Sequence, residues 1–338
     1  MIIVVRYGWG YPFRMRSSAR LAVLVAISGI FAVAIACGSS DDGSSFSSGG
    51  ASGSSGNSGG PSSGGFGSSN GGGNSSGASN GSSGTSGGNC FAPVDMYIVF
   101  DKSGSMGEPV GNGAPGDCNV GQTVPSKWCK AINALSGYLK SPQSKDQGAA
   151  LQFFSGADNA NCGTGAPYTT AAMPATSYTT LPSTAFDSAL NGITPGGGTP
   201  IEAALRGLTH FTGANRRGGR VTIGILITDG DPHGCNQNLN TLAGIIQAHY
   251  DATKIRTYVI GMNGATFANL EQIASGGGAP THAATVGTLT NACGNVAAPC
   301  HFWNVGDGDP AGFIQALAAI QESADGCKPG GGNVNPVN

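Results

Sequence analysis

Charge is scarce in this chain: Asp, Glu, Lys and Arg together make up 10% of 338 residues, well under the usual share of roughly a quarter. With a formal net charge of −2 and no dense Lys/Arg stripe, it carries no electrostatic footprint for nucleic acid, and nucleic-acid partners are set aside. No Cys-x-x-Cys occurs, which leaves zinc-ribbon and thioredoxin-type chemistry without support. Outside the Gly/Ser-rich stretch of 38–89 no Gly-x-Ser-x-Gly elbow occurs, and a His-Glu-x-x-His helix and a Walker loop are missing throughout. From Gly38 to Asn89 there is no Leu, Ile, Val, Lys or Arg, and the only aromatics are Phe46 and Phe66. Such a Gly/Ser-rich segment cannot bury enough apolar surface to offset its ordering entropy. Residues 38–89 are therefore expected to be a disordered linker, with a root-mean-square span of roughly 40 Å. A short Gly/Asn/Pro-rich tail is expected over 328–338.

Upstream of the linker, Arg14, Arg16 and Arg20 precede an apolar run from Leu21 to Ile35 that ends Ala34-Ile35-Ala36-Cys37. Basic residues, a short apolar core and small residues at its end describe a secretory signal over 1–37. Met15 is an alternative start, because residues 1–14 add nothing that a signal needs. About 15 apolar residues rise roughly 22 Å as a helix, short of a ~30 Å hydrocarbon core. Ala34 to Cys37 also resembles the lipobox of bacterial lipoproteins, which implies lipid attachment at Cys37. Ordinary cleavage after Ala-Ile-Ala and an uncleaved anchor are the alternatives. Gly38 carries no Asp-type retention signal, so the resemblance implies the outer membrane of a Gram-negative cell, with membrane contact through the lipid alone. Cysteine parity favours lipidation: nine Cys would leave one thiol over in an oxidising compartment, whereas eight can all pair.

Residues 90–327 hold enough sequence for one sizeable core. Met96–Phe100, Ala149–Phe154, Val221–Ile227 and Arg256–Ile260 are short apolar runs suited to strands buried on both faces of a parallel sheet. His282–Val286 and His301–Val305 are weaker strand candidates. Helical spacing links Trp128, Ile132, Leu135 and Leu139, with Ser126 as cap, and Ile201, Leu205, Leu208 and Phe211, with Thr199 as cap and Pro200 in the first turn. Further helices are expected around Leu242, Ile245 and Ile246, around Phe267, Leu270 and Ile273, and from Asp309-Pro310 through Phe313, Leu317 and Ile320. This alternation predicts an α/β fold: a doubly wound, mostly parallel sheet with helices on both faces. Ligands of such sheets bind beyond the carboxyl ends of the strands.

That edge is where the informative residues fall. The first strand runs into Asp101-Lys102-Ser103-Gly104-Ser105, and the Val221–Ile227 strand runs into Thr228-Asp229-Gly230. Between them Gly196-Gly197-Gly198-Thr199 leads into a helix. Two carboxylates and three hydroxyls are hard oxygen donors, suited to Mg²⁺, Ca²⁺ or Mn²⁺. Two carboxylates balance a dication, and neutral hydroxyls leave it electrophilic toward one outside oxygen. Asp-x-Ser-x-Ser, a later Thr and a Thr-Asp-Gly resemble the metal-ion-dependent adhesion site of von Willebrand factor type A domains. The resemblance spans about Val94 to Cys327. It implies direct ligation by Ser103 and Ser105, direct or water-mediated ligation by Asp101 and Asp229, and conditional ligation by Thr199. It further implies Mg²⁺ as the ordinary ion and a partner protein that offers an acidic side chain. The implied function is a surface-anchored, cation-dependent binding or adhesion module rather than an enzyme. Alternatives are a metal-dependent hydrolase, with Asp231 or His233 as the only base candidates, and an envelope scaffold with a structural metal.

Taken alone, each motif has a plain reading as a turn or a cap. His233 reads as a solvated loop residue. Asp307-Gly308-Asp309 lacks the third Asp and distal Glu of an EF-hand, so Asp309 reads as a helix cap. His210, His249, His282 and His301 have no matched nucleophile and read as core or surface residues. The eight remaining Cys permit 105 pairings. Position along the chain suggests local bridges Cys118–Cys129 and Cys293–Cys300, a clasp Cys90–Cys327 across the domain ends, and Cys162–Cys235 bracing a ligand-side loop.

Overall fold

The computed structural model describes residues 92–110, 117–156, 161–175 and 177–324. The signal segment with Cys37, the linker, the tail and the Cys90–Cys327 clasp lie outside these residues. Strand β1 (Val94–Asp101) is buried along its whole length. It pairs in parallel with β2 (Gly148–Phe154) on one side and β4 (Val221–Thr228) on the other. Strand β5 (Arg256–Gly261) and the two-residue β6 (Trp303–Asn304) extend the sheet in parallel beyond β4. The short β3 (Thr179–Thr180) adds an antiparallel edge to β2. The order is β3-β2-β1-β4-β5-β6, so the chain winds outward from β1, then crosses back to lay β4 beside it. This reversal puts a topological switch point between the carboxyl ends of β1 and β4, where open α/β sheets take their ligands.

Side chains alternate across the sheet, and each face has its own core. Met96, Ile98 and Phe100 of β1, with Ile223, Ile225 and Ile227 of β4, pack under α1 (Lys127–Lys140), α2 (Phe186–Asn191) and α6 (Pro310–Ala324). Tyr97 and Val99, with Leu226 and Val259, pack under α3 (Ile201–Ala214), α4 (Leu239–Thr253) and α5 (Phe267–Ser275). Phe100 stacks on Trp128 at 5.1 Å and Tyr97 on Phe211 at 3.9 Å between ring centroids. Truncating such a ring to Ala typically costs 3–5 kcal/mol, roughly the scale on which each face holds its helices.

Ser126 caps α1 as expected, its hydroxyl accepting from Cys129 N at 3.1 Å. Asp309 opens α6, its carbonyl accepting from Phe313 N and its carboxylate from Gly312 N. Three expectations are corrected. Thr199 does not cap α3 through its side chain, and Pro200 stands at the cap position with the helix beginning at Ile201; the Thr199 hydroxyl lies instead against Gly230. His282–Val286 is no strand but two isolated bridges, His282 to Cys300 and Val286 to Leu289. The late strand shrinks from 301–305 to Trp303–Asn304. Three disulfides close as anticipated, Cys118–Cys129, Cys162–Cys235 and Cys293–Cys300, with Cα separations of 5.2, 5.2 and 5.8 Å. Cys129 sits inside the first turn of α1.

Candidate metal centre

Where β1 ends, the chain turns through Ser103 into a short 3₁₀ turn at Gly104–Gly107. One residue past β4 lies Asp229. The Gly196–Thr199 loop closes over both: Gly196 N donates to Lys102 O at 2.7 Å and Gly104 N to Gly197 O at 2.9 Å. This loop comes so near Gly156 that a Cβ there would stand 2.1 Å from Gly198 N, and Gly197 takes φ +86°. Only glycine meets both demands. The packed loop then delivers Thr199 to the Asp229-Gly230 turn, where a methyl on Gly230 would stand 3.0 Å from Thr199 Oγ1.

A chain of short oxygen contacts links the residues so gathered. Asp101 Oδ1 accepts from Ser103 N at 2.7 Å, and Asp101 Oδ2 accepts from Thr228 Oγ1 at 2.6 Å. Ser103 Oγ lies 3.0 Å from Ser105 Oγ, which donates to Asp229 Oδ1 at 2.8 Å. Asp101 and Asp229 are wholly buried, and Ser103 and Thr199 nearly so. Ser105 and Gly104 are left open to solvent. The site is thus sunk into the sheet edge and opens to solvent on the Ser105 side.

Burial dominates its electrostatics. It pushes the Asp101 carboxyl up to about 7, with the charge of Asp229 adding to the rise and hydrogen bonds from Thr228 and Ser103 opposing it. Burial also raises Asp229, against the pull of Lys127 and Ser105. Two buried carboxylates side by side are an unfavourable arrangement unless a cation offsets them. Among the described residues no Lys or Arg pairs with Asp101. Asp229 Oδ2 accepts no well-aligned hydrogen bond and meets Lys127 Nζ at 2.5 Å.

These features fit a small divalent ion. The donors are all hard oxygens, two of them anionic. At metal–oxygen distances of 2.0–2.1 Å, adjacent oxygens of an octahedron stand ~2.9 Å apart. The 3.0 and 2.8 Å separations along Ser103, Ser105 and Asp229 match that edge. The structure therefore brings Asp101, Ser103, Ser105 and Asp229 into one cluster and places Thr199 at its border.

Lys127 and Glu108 were not foreseen as members. Lys127, the first residue of α1, pairs with Asp229, with Glu108 Oε2 at 3.2 Å and with Asn263 O at 3.1 Å. Burial opposes its charge, but Asp229 and then Glu108 outweigh burial and hold its pKa above the ordinary value. The one available signal was a lysine in a first helical turn, where the helix dipole disfavours it.

Other candidates are committed elsewhere. Asp231 accepts from Thr266 N at 3.0 Å, Thr266 Oγ1 at 2.7 Å and Asn269 Nδ2 at 3.1 Å, fixing the start of α5. His233 is exposed, and its backbone N–H donates to Thr199 O. His249 Nε2 lies 3.0 Å from Thr212 Oγ1, and burial, then Arg216, lower its pKa. His282 stacks on Trp303, and His301 pairs with Glu271 at 2.6 Å. His210 lines an open cleft of about 520 Å³ between α3 and α4, with Arg206, Thr209 and His249. Asp307 accepts from Asn263 Nδ2 at 3.0 Å. The Cys–His and Cys–Glu groupings at His282 and Glu202 use disulfide sulfurs, which are not thiolate ligands.

The family model described as the von Willebrand factor type A domain matches residues 95–296. No curated protein matches the sequence. Among solved structures, proximal thread matrix protein 1 of the mussel byssus aligns at 14% identity and TM-score 0.39, over 70% of this chain and 49% of its own. The PilB minor pilin of Streptococcus sanguinis aligns at 12% identity and TM-score 0.42, over 69% of this chain and 61% of its own. The SpRpn10 VWA domain aligns at 9% identity and TM-score 0.39, over 70% of this chain and all of its own. The chain thus spans about half the length of the byssus protein.

Proposed function

The chain belongs to the von Willebrand factor type A domain family, and from that premise we propose that it binds a partner protein's acidic group through a divalent cation, Mg²⁺ foremost. Domains of this family generally mediate protein–protein interaction or adhesion, often with a metal, and are typically not enzymes. The observation that carries the proposal is the convergence of Asp101, Ser103, Ser105 and Asp229 at the switch point. Both carboxylates are buried there, and among the described residues only one is met by a cationic side chain.

Each residue has a distinct task. Ser103 and Ser105 present neutral oxygens. Asp101 and Asp229 supply the compensating charge, Asp101 oriented by Thr228 Oγ1 and by Ser103 N. Thr199, carried by the glycine loop, stands at the border, able to join or leave with ligand state. The cation, when bound, supplies a Lewis-acidic position for an outside carboxylate oxygen. The half-exposed Ser105 side is where such a group would arrive. Turnover would need a general base beside that position; Asp231 is held by three donors, and this favours binding over hydrolysis. The domain is further proposed to be exported and tethered through a lipid on Cys37, with residues 38–89 as the leash.

Calorimetric titration of the wild-type domain should show one Mg²⁺ site, and Asp101→Ala should lose it by more than roughly 100-fold while the domain stays folded. Wild-type affinity of the mutant for Mg²⁺, Mn²⁺ and Ca²⁺ alike would refute the assignment. Retention of an envelope partner that disappears with chelator supports recognition through the ion. Retention indifferent to chelator supports a scaffold with a structural metal. Labelling by a palmitate analogue should vanish in Cys37→Ser; persistent labelling would remove the lipobox reading.

A further inference from the structure

We propose that Lys127 is a built-in cation that shares Asp229 with the divalent ion, weakening the site's hold on that ion and leaving the loaded site more positive toward an anionic partner. The inference rests on the reading of Asp101, Ser103, Ser105 and Asp229 as the ion's ligands.

Lys127 does not have the setting of a surface lysine that strayed into a gap. Its side chain is 7% exposed, and its ammonium meets Asp229 Oδ2 at 2.5 Å, Asn263 O at 3.1 Å and Glu108 Oε2 at 3.2 Å. Of the ammonium's three donors, two are taken by hydrogen bonds to Asn263 O and Glu108 Oε2, while Asp229 is met as an ion pair. The backbone fixes the position as well. Lys127 N donates to Glu108 O, Val110 N to Pro125 O, and Ser126 bridges Pro109, so the segment after the Ser103–Ser105 turn is tied to the start of α1. The loop after β5 closes the third side: a Cβ on Gly264 would stand 3.0 Å from Lys127 Nζ and 2.6 Å from Asp229 O.

Local physics argues against a lysine at this position, because the first turn of a helix carries partial positive charge. A residue that local preference disfavours and three elements nonetheless enclose marks a functional compromise. Charge accounting shows its consequence. Asp101 and Asp229 alone neutralise a dication. Lys127 adds one buried positive charge, and the compensating Glu108 has a side chain 63% exposed, where water screens it. The loaded site is left with a local positive surplus. Without Lys127 the full charge of Asp229 would go to the ion.

The test is calorimetric titration of the whole mature chain with Mg²⁺ alone, alongside melting with and without the ion. Lys127→Met keeps an unbranched apolar stem, and Lys127→Gln keeps polarity without charge. Both should bind Mg²⁺ on the order of tenfold more tightly than wild type, since a buried like charge is removed from the ion's surroundings. Both should also melt earlier in chelator and gain more from saturating Mg²⁺ than wild type does. Lys127→Arg, which keeps the charge, should stay within about threefold of wild type on the same argument. If one neutral variant folds only with the ion, the other, or the ion dependence of its folding, gives the same reading. Unchanged or weaker Mg²⁺ binding in folded neutral variants would overturn the proposal for Lys127 alone. A wild-type chain that binds no divalent cation would overturn the ligand assignment beneath it.

Discussion

Strand β1 carries a buried aspartate near each end, and the chain handles the two in opposite ways. Asp95, at the amino edge of the sheet, accepts from Arg217 Nε and Arg220 Nε at 2.7 Å each, and the Arg217 Nη2 also reaches it. Asp101, at the carboxyl edge, accepts from Ser103 N and Thr228 Oγ1 and meets no cationic side chain among the described residues. Both are fully buried and share a face of the strand. Burying a carboxylate is costly wherever it occurs, so a counter-charge is needed at both ends. At one end the protein carries its own in two arginines. At the other it supplies only neutral donors and a second carboxylate with a partial claim on Lys127. A buried acid matched from within belongs to the fold, and the one left unmatched among the described residues is where the proposed cation would supply the missing charge.

Acidity is the strongest lever on this contrast. In the ion-free domain Asp101 titrates near 7 instead of 3.8, so the folded state keeps a proton that the unfolded chain releases. The stability linked to that proton is present below about pH 4 and is lost as pH rises through about 7, with a ceiling of about 4 kcal/mol. Asp229 is shifted in the same direction. Urea unfolding in chelator should show a domain more stable at pH 5 than at pH 8, and Asp101→Asn should flatten most of that slope. Saturating Mg²⁺ should invert the trend in wild type, because protons compete with the ion for the same oxygens. A slope equal in Asp101→Asn and wild type would place the pH dependence elsewhere.

Next in size is the opposite end. Asp95→Ala strands two arginines whose side chains are 31% and 18% exposed. Breaking a buried pair costs 3–5 kcal/mol, and this partial access to water sets the expected loss at about 3 kcal/mol. Chemical denaturation measures it. Mg²⁺ affinity, titrated on the protein that remains folded, should stay within about twofold of wild type, since distant sites act additively. A large change in affinity would mean that the two ends of β1 are not independent.

The contrast also shows what could be read without coordinates. Met96–Phe100 and Val221–Ile227 announce themselves because strands buried on both faces are continuous apolar runs. The residues beyond such strands inherit a known edge, which is why Asp101, Ser103, Ser105 and Asp229 could be grouped in advance. Asp95 with Arg217 and Arg220 could not be, because their contact joins residues 122 and 125 apart in sequence through the sheet register. Lys127 was hidden for a similar reason, its partner Asp229 lying on another element. Thr179–Thr180 and Phe186–Asn191 are too short for any periodicity to develop. The 282–302 region misled because apolar residues there are held by the Cys293–Cys300 bridge, turns and isolated bridges, and a ladder forms only at Trp303–Asn304.

The smallest expected effect concerns the start of α1, where the cap and the tethered cation are neighbours. Ser126 Oγ accepts from Cys129 N, and the loss of such a cap typically costs about 1 kcal/mol. Ser126→Ala should therefore lower stability by roughly that amount in denaturant titration. Its effect on Mg²⁺ binding should be slight, within about twofold, because Lys127 has other moorings. The Cys118–Cys129 bridge holds the first turn covalently, and Lys127 N still donates to Glu108 O. If Ser126→Ala instead shifts Mg²⁺ affinity by as much as the neutral Lys127 variants do, those moorings do not suffice. The cap would then be what keeps the ammonium on Asp229, and the helix start would count as part of the ion site rather than as its support.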